Sequence, residues 1–329
     1  MSGIGAGPAG GYGVRRGPDP EIGSLERITL TSPSGLEAAF VPGAGMVGTS
    51  LVLDGVELLG RRGGLPAYVD GGHTYGIPLL APWANRLRDP EQHVDGTSWT
   101  VRAGDPGVHV DDNGLPIHGL LAGVEGFEVE ELLVGGERAL LRARLAFGPH
   151  LDLFSSFPFA HDLVVEVELW DLTLTVRTSL TATGGGPVPV AFGWHPYVAF
   201  PGTPRERWTL DAPFTRRAVL SELFVPTGEV VDVEAPAGPL GTTAYDDVFL
   251  DVRPSASVRV AGEQHAVTFD YVSGYPVAVL YAPLTHDLVA VEPMTAPTDP
   301  FSGRFPLRSA APGETVTAVF DLTAHRLAP

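Results

Sequence analysis

From residue 24 onward the chain alternates apolar and polar side chains with a period of two, as strands do when they bury one face. "SLERITLTS" and "GLEAAFV" flank a "PSG" turn, and "TSLVLDGVELLG" carries an Asp-Gly turn between two strand-like halves. "GFEVEELLV" and "RALLRARL" are split by "GGE", "DLVVEVELWDLTLTVRTSL" turns at Asp171, and "SVRVAGEQHAVTFDYV" reads as another hairpin. "PVAVLYAP", "DLVAVE" and "ETVTAVFDL" complete the series. Helical periodicity is sustained nowhere, and 31 prolines and 41 glycines punctuate the chain. The pattern predicts an all-β fold of about fifteen or more strands with long loops. No repeat of fixed period supports a propeller, and no linker breaks residues 24–329, so a single large sandwich domain is expected there.

Residues 1–23 are rich in glycine and proline and offer almost nothing to bury, which predicts a flexible tail. Within them "GAGPAG" matches the dinucleotide-binding fingerprint letter for letter. That motif works only between a strand and a helix, where the pyrophosphate reaches the helix N-terminus. Four residues precede Gly5 and "GYGVRRGPDP" follows, which provides neither element.

One apolar strand carries a histidine: "VAFGWHPYVAF", residues 190–200. On strand register Val190, Phe192, Trp194 and Pro196 face one way, and Ala191, Gly193, His195 and Tyr197 the other. The first face suits a core; the second sets open space beside an imidazole and a phenol, as the floor of a small-ligand site requires. His195 is either a satisfied core histidine or a group placed to move protons. "DLVAVEPM" (287–294) gives a second anomaly, because Glu292 ends a stretch that is apolar on both faces. Burial there raises a carboxyl pKa and suits a general base, although a buried glutamate paired with arginine explains it equally well.

Composition narrows the chemistry. The formal charge is −18 and all 21 basic residues are arginine, a balance that repels nucleic acid and anionic membranes. With no cysteine there are no thiolate nucleophiles or iron–sulfur clusters, and with no lysine no Schiff base. The ten histidines show no HxH or HExxH spacing, "DDNG" (111–114) lacks the rest of a calcium loop, and GxSxG is missing, so no metal site is expected. No apolar run matches a membrane span or signal peptide, which makes the cytoplasm the default expectation.

Four further stretches hold polar candidates. "APWANRLRDP" (81–90) carries Asn85 and Arg86, which alone suit a loop anchor. "NGLPIHGLLAG" (113–123) places His118 on a turn, where histidines are more often solvated. "TAYDDVFLDV" (243–252) offers Asp246 and Asp247, which point to opposite sides of a strand, so one joins a given site at most. "GRRGG" (60–64) is either a solvated turn or an anion-holding pair.

The order "PWANR", "IHG", "FGWHPY", "DDVF", "VEP" and a final "PGETVTAVFDL" resembles the aldose 1-epimerase (galactose mutarotase) superfamily across about residues 26–325. The resemblance implies a β-supersandwich and cofactor-free interconversion of the α and β anomers of a hexose or related aldose, in a monomer or homodimer. By motif, Glu292 resembles the base that takes the C1 hydroxyl proton and His195 the acid that protonates the ring oxygen. Arg86, His118 and Asp246 resemble the sugar-hydroxyl ligands, with Asn85 and Tyr281 beside them; Trp83, Trp194 and Tyr281 are candidate pocket walls. The family's Asn-His-x-Tyr-Phe-Asn appears here as Trp194-His195-Pro196-Tyr197-Val198, and its Glu-Thr-Gln as Glu292-Pro293-Met294. These departures leave the proton-transfer pair intact and the sugar unnamed. Two alternatives stay open: a carbohydrate-binding protein without catalysis, and a hexose-6-phosphate 1-epimerase with arginines for the phosphate. A glycosidase using Asp246 and Glu292 is disfavoured, since the resemblance gives them separate tasks.

Overall fold

A computed structural model of the protein describes residues 11–328, and among these it contains twenty-five strands and one α-helix. A five-strand antiparallel meander runs from Gly13–Pro18 to Val56–Glu57. One eight-stranded sheet has the long strands Arg138–Phe147, His161–Trp170, Thr173–Ala182 and Thr315–Arg326 at its centre. In a second, Arg216–Leu220, Tyr245–Phe249, Val277–Ala282 and Val289–Met294 lie side by side, and short pieces at Gly193–Trp194 and Tyr197–Val198 pair with the last of them.

The alternation along these strands places the core. Val289 and Val291, with Ala278 and Leu280, pack into the same apolar cluster as Val176, Phe320 and Leu322 of the first sheet. Trp194 closes the contact: its ring lies 6.3 Å from Phe320 and its indole N–H donates to Thr178 Oγ1 at 2.9 Å. The large sandwich expected from the sequence is present. Trp83 and Trp194, candidates for a pocket wall, belong to this core; Trp83 packs edge-on to Phe301.

Two features differ from expectation. Gly13–Pro18 is a strand, in register with Glu26–Thr31 from Gly13↔Thr31 to Pro18↔Glu26, so the flexible tail read to residue 23 does not extend that far. Few apolar side chains mark this edge strand because backbone pairing and the Arg16–Glu26 ion pair at 2.7 Å hold it. Asp19 and Glu21 fasten the next turn: Asp19 Oδ1 accepts from the Glu21 and Ile22 amides, and Glu21 accepts from the Leu65 amide at 2.7 Å and from Arg61. The fingerprint-like "GAGPAG" lies outside the described residues. The helix Gly64–Gly71 also went unforeseen: two turns give too little periodicity to register, and it ends on Gly72 at φ +67°.

Candidate active site

The stretch read as one strand around His195 is broken in two. Pro196 has no amide hydrogen for the ladder, and the neighbouring amides turn elsewhere, His195 N–H to the Pro78 carbonyl and Tyr197 N–H to that of Gly76. Both halves still pair with Val289–Met294, Gly193 with Met294 and Tyr197 with Ala290. Midway between those two pairs, His195 stands opposite Glu292. The side chains meet, His195 Nε2 to Glu292 Oε1 at 3.0 Å, with the two groups 4% and 1% exposed.

This contact lies on the face of the second sheet that turns away from the core. Ala290, Glu292 and Met294 share it, and their register partners are Tyr281, Val279 and Val277. Glu292 thus sits between apolar neighbours, and burial pushes its carboxyl well above the usual carboxylate range; the Asp246 charge adds to this and Arg86 opposes it. Burial likewise pushes the His195 imidazole well below 6.5, followed by the neighbouring His118, with Arg62 and Arg86 adding to it. The 3.0 Å contact lets the two groups share one proton, and burial disfavours the charged form of each. Glu292 Oε2 and His195 Nδ1 have no hydrogen-bond partner among the described residues.

Asp246 shares the row of Tyr281 and Ala290 and faces the site, whereas Asp247 turns away to Arg217 at 3.0 Å. Arg86 and His118 arrive on two loops zipped together. Arg86 bridges to Ile117, and the His118 amide donates to the Asn85 carbonyl at 3.0 Å. Asn85 (φ +59°) and His118 (φ +65°) are both left-handed, which turns their side chains inward. Asn85 Oδ1 accepts from Arg86 N–H and Nη1 (2.9 and 3.1 Å), so it positions the arginine. Asp111 of "DDNG" accepts from Arg86 Nε at 2.7 Å and from the amides of Asn113 and Leu115. What read as a failed calcium loop is a turn that anchors Arg86. His118 lies edge-on to His195, and burial first, then Arg86 and Arg62, push it down to about 3.

Three polar lining residues were not assigned to the site from sequence. The Tyr197 hydroxyl meets His195 Nε2 at 3.2 Å and Thr74 Oγ1 at 2.7 Å, and its ring stacks on the imidazole, 4.3 Å between centroids. Strand alternation had already placed Tyr197 on the face of His195, which was the available signal. Arg62 reaches in from "GRRGG" and donates to Tyr197 OH at 3.2 Å. Thr74 carried no sequence signal.

These residues enclose a cavity of about 140 Å³, lined by Arg62, Asn85, Arg86, His118, Asp246 and Tyr281 around the central pair. A single water requires ~10–15 Å³ on the same measure, so the space suits a molecule of about one sugar ring. A wider hollow of about 960 Å³ beside Phe214 carries charge only at exposed Arg216, Asp251 and Arg253, with no buried titratable group. The buried imidazoles and the buried Glu292 carboxyl thus line the smaller cavity and not that hollow.

Known proteins agree with this architecture. The chain superposes on a galactose mutarotase-like protein from Clostridium acetobutylicum with a TM-score of 0.84 at 16% identity, covering 96% of this chain and 99% of the other. A galactose 1-epimerase from Lactobacillus acidophilus gives 0.73 at 14% identity, over 92% and 95%. An aldose epimerase homologue from C. elegans gives 0.69 at 17% identity, over 96% and 100%. At these identities the structures establish a shared fold. No curated protein matches the chain by sequence. The sequence pattern of the family described as Aldose 1-epimerase matches residues 26–323, nearly all of the described chain, and the protein belongs to that family.

Proposed function

We propose that the protein is an aldose 1-epimerase in which Glu292 is the general base and His195 the general acid. The 3.0 Å contact between two buried proton-transfer groups on the floor of a ring-sized cavity carries this reading. As the sugar enters, the shared proton passes from Glu292 to His195 Nε2 across their 3.0 Å contact. The carboxylate then takes the O1 proton, the O1 lone pair forms the carbonyl, and the C1–O5 bond breaks. Its electron pair goes to O5, which takes the proton from Nε2. Rotation about C1–C2 presents the other face of the aldehyde; O5 attacks C1, its proton returns to Nε2, Glu292 returns a proton to O1, and as the product leaves the Nε2 proton passes back to Glu292. Protons and charge balance over the cycle without an external reagent. Arg86, fixed by Asp111 and Asn85, is placed as a donor to sugar hydroxyls, and Asp246 and Tyr281 complete that shell.

Purified protein should accelerate exchange between α- and β-glucose or α- and β-galactose, followed by polarimetry or magnetisation-transfer NMR. Glu292→Gln and His195→Asn should each slow turnover by at least about 100-fold, the lower range for a general acid or base. Wild-type rates in both variants would refute the mechanism. Sugar binding without acceleration by the wild-type protein would instead favour a carbohydrate-binding role.

A further inference from the structure

Arg61 and Arg62 are neighbours in sequence with opposite fates. Arg61 pairs with Glu21 and Glu57. Arg62, although exposed, reaches the rim of the cavity, where its guanidinium lies 5.6 Å over the Tyr197 ring. Its Nη1 donates to Tyr197 OH at 3.2 Å and to the Thr74 carbonyl at 3.3 Å, and Nη2 and Nε have no acceptor among the described residues. The two cavity arginines also differ in charge balance. Arg86 is neutralised by Asp111 at 2.7 Å, whereas no carboxylate among the described residues lies within ion-pair distance of Arg62. A neutralised arginine suits a neutral hydroxyl; a guanidinium with an open edge and unbalanced charge suits an anion.

Arg62 occupies a definite place relative to the proton-transfer pair. Contact runs from Arg62 to Tyr197 OH, then to His195 Nε2 at 3.2 Å, and then to Glu292 at 3.0 Å. On the mechanism above, O5 sits at Nε2 with C1 toward Glu292. The other atom bonded to O5 is C5, so the substituent on C5 points toward Tyr197 and Arg62. We infer that the site is built for an aldose whose C5 bears a carboxylate, a hexuronate, held by Arg62 through its open guanidinium edge.

A carboxylate fits better than a phosphate ester. A dianionic phosphate calls for several cations, whereas the adjacent Arg61 is committed to Glu21 and Glu57 and Arg86 to Asp111. A carboxylate directly on the ring also adds little volume to a cavity of about 140 Å³. The formal charge of −18 gives no long-range attraction for an anion, so recognition must come from contact with Arg62.

The inference rests on the epimerase reading, and the test separates the two. Anomer exchange of glucuronate, glucose and glucose 6-phosphate is measured by magnetisation-transfer NMR for the wild type, Arg62→Gln and Arg62→Lys. The kcat/KM ratio of glucuronate to glucose should exceed one in the wild type. It should fall about tenfold or more in Arg62→Gln, the effect of losing one charge-assisted hydrogen bond. Arg62→Lys should recover part of it, keeping the charge without the fork. An unchanged ratio overturns the inference and leaves the epimerase reading standing. An Arg62-dependent preference for glucose 6-phosphate overturns the carboxylate in favour of a phosphate. If the wild type accelerates no sugar, the epimerase reading fails, and glucuronate binding by NMR decides: weaker binding to Arg62→Gln supports the anion subsite, equal binding overturns it.

Discussion

His118 lies edge-on to His195, ring centroids 5.3 Å apart and planes at 80°, with both imidazoles buried. Two such rings cannot both become charged at modest cost, and this governs how the site responds to acid. On the proposed mechanism the active pair holds one proton, so acid inactivates it by adding a second, to His195. Burial, followed by His118, keeps that event well below pH 6.5, and the acid limb of kcat/KM should lie there. In His118→Asn the neighbouring imidazole is gone, His195 accepts a proton more readily, and the limb should move to higher pH. A pH–rate profile checks this; an acid limb that stays put in the variant counts against the electrostatic coupling.

The basic limb belongs to loss of the shared proton. Burial raises the Glu292 carboxyl, and the Asp246 charge raises it further. Asp246→Asn removes that charge, so the shared proton should leave at lower pH and the basic limb should shift down. KM should rise as well, but a purely structural defect would leave the limb where it was.

Gly119 follows His118 at φ +77°, and a Cβ there would overlap the Ala81 carbonyl. Gly119→Ala therefore has to push apart the loops that deliver His118 and Arg86. A left-handed alanine alone costs about 1–2 kcal/mol, so a total loss above about 2 kcal/mol is expected, with activity falling in parallel. Denaturant titration and turnover together test it; a stable, fully active variant would show that the loops are not locked there.

His161 supplies a stability test outside the cavity. It stacks on Phe147, 4.8 Å between centroids, its Nδ1 donates to the Phe159 carbonyl at 2.8 Å, and burial pushes it down to about 4. Above pH 6.5 the ring is neutral whether the chain is folded or unfolded, and no pH dependence arises. Between 6.5 and about 4 the unfolded chain takes up a proton that the fold refuses, so stability falls by of order 3 kcal/mol across that window. His161→Gln should flatten the dependence of Tm on pH over this range. An equally steep slope would place the proton uptake elsewhere.

Local residue order carried much of this protein. The period-two pattern announced an all-β sandwich because burial of one strand face is a near-neighbour property. It also marked His195, Tyr197 and Glu292, which interrupt apolar faces, and it showed that Asp246 and Asp247 must diverge. The edge strand Gly13–Pro18 escaped notice because its stability comes from its pairing partner rather than from its own side chains. The helix Gly64–Gly71 escaped because eight residues hold too few repeats.

The sequence by itself thus determined which residues are chemically able and which face of each strand they occupy. Tertiary structure alone decided the rest: that His195 stands opposite Glu292, that Asp246 rather than Asp247 looks inward, and that Arg62 reaches the cavity while Arg61 pairs with Glu21 and Glu57. The physical reason is range. Alternation is set by each residue's neighbours, whereas register and loop closure join residues about a hundred positions apart through pairings that no local pattern encodes.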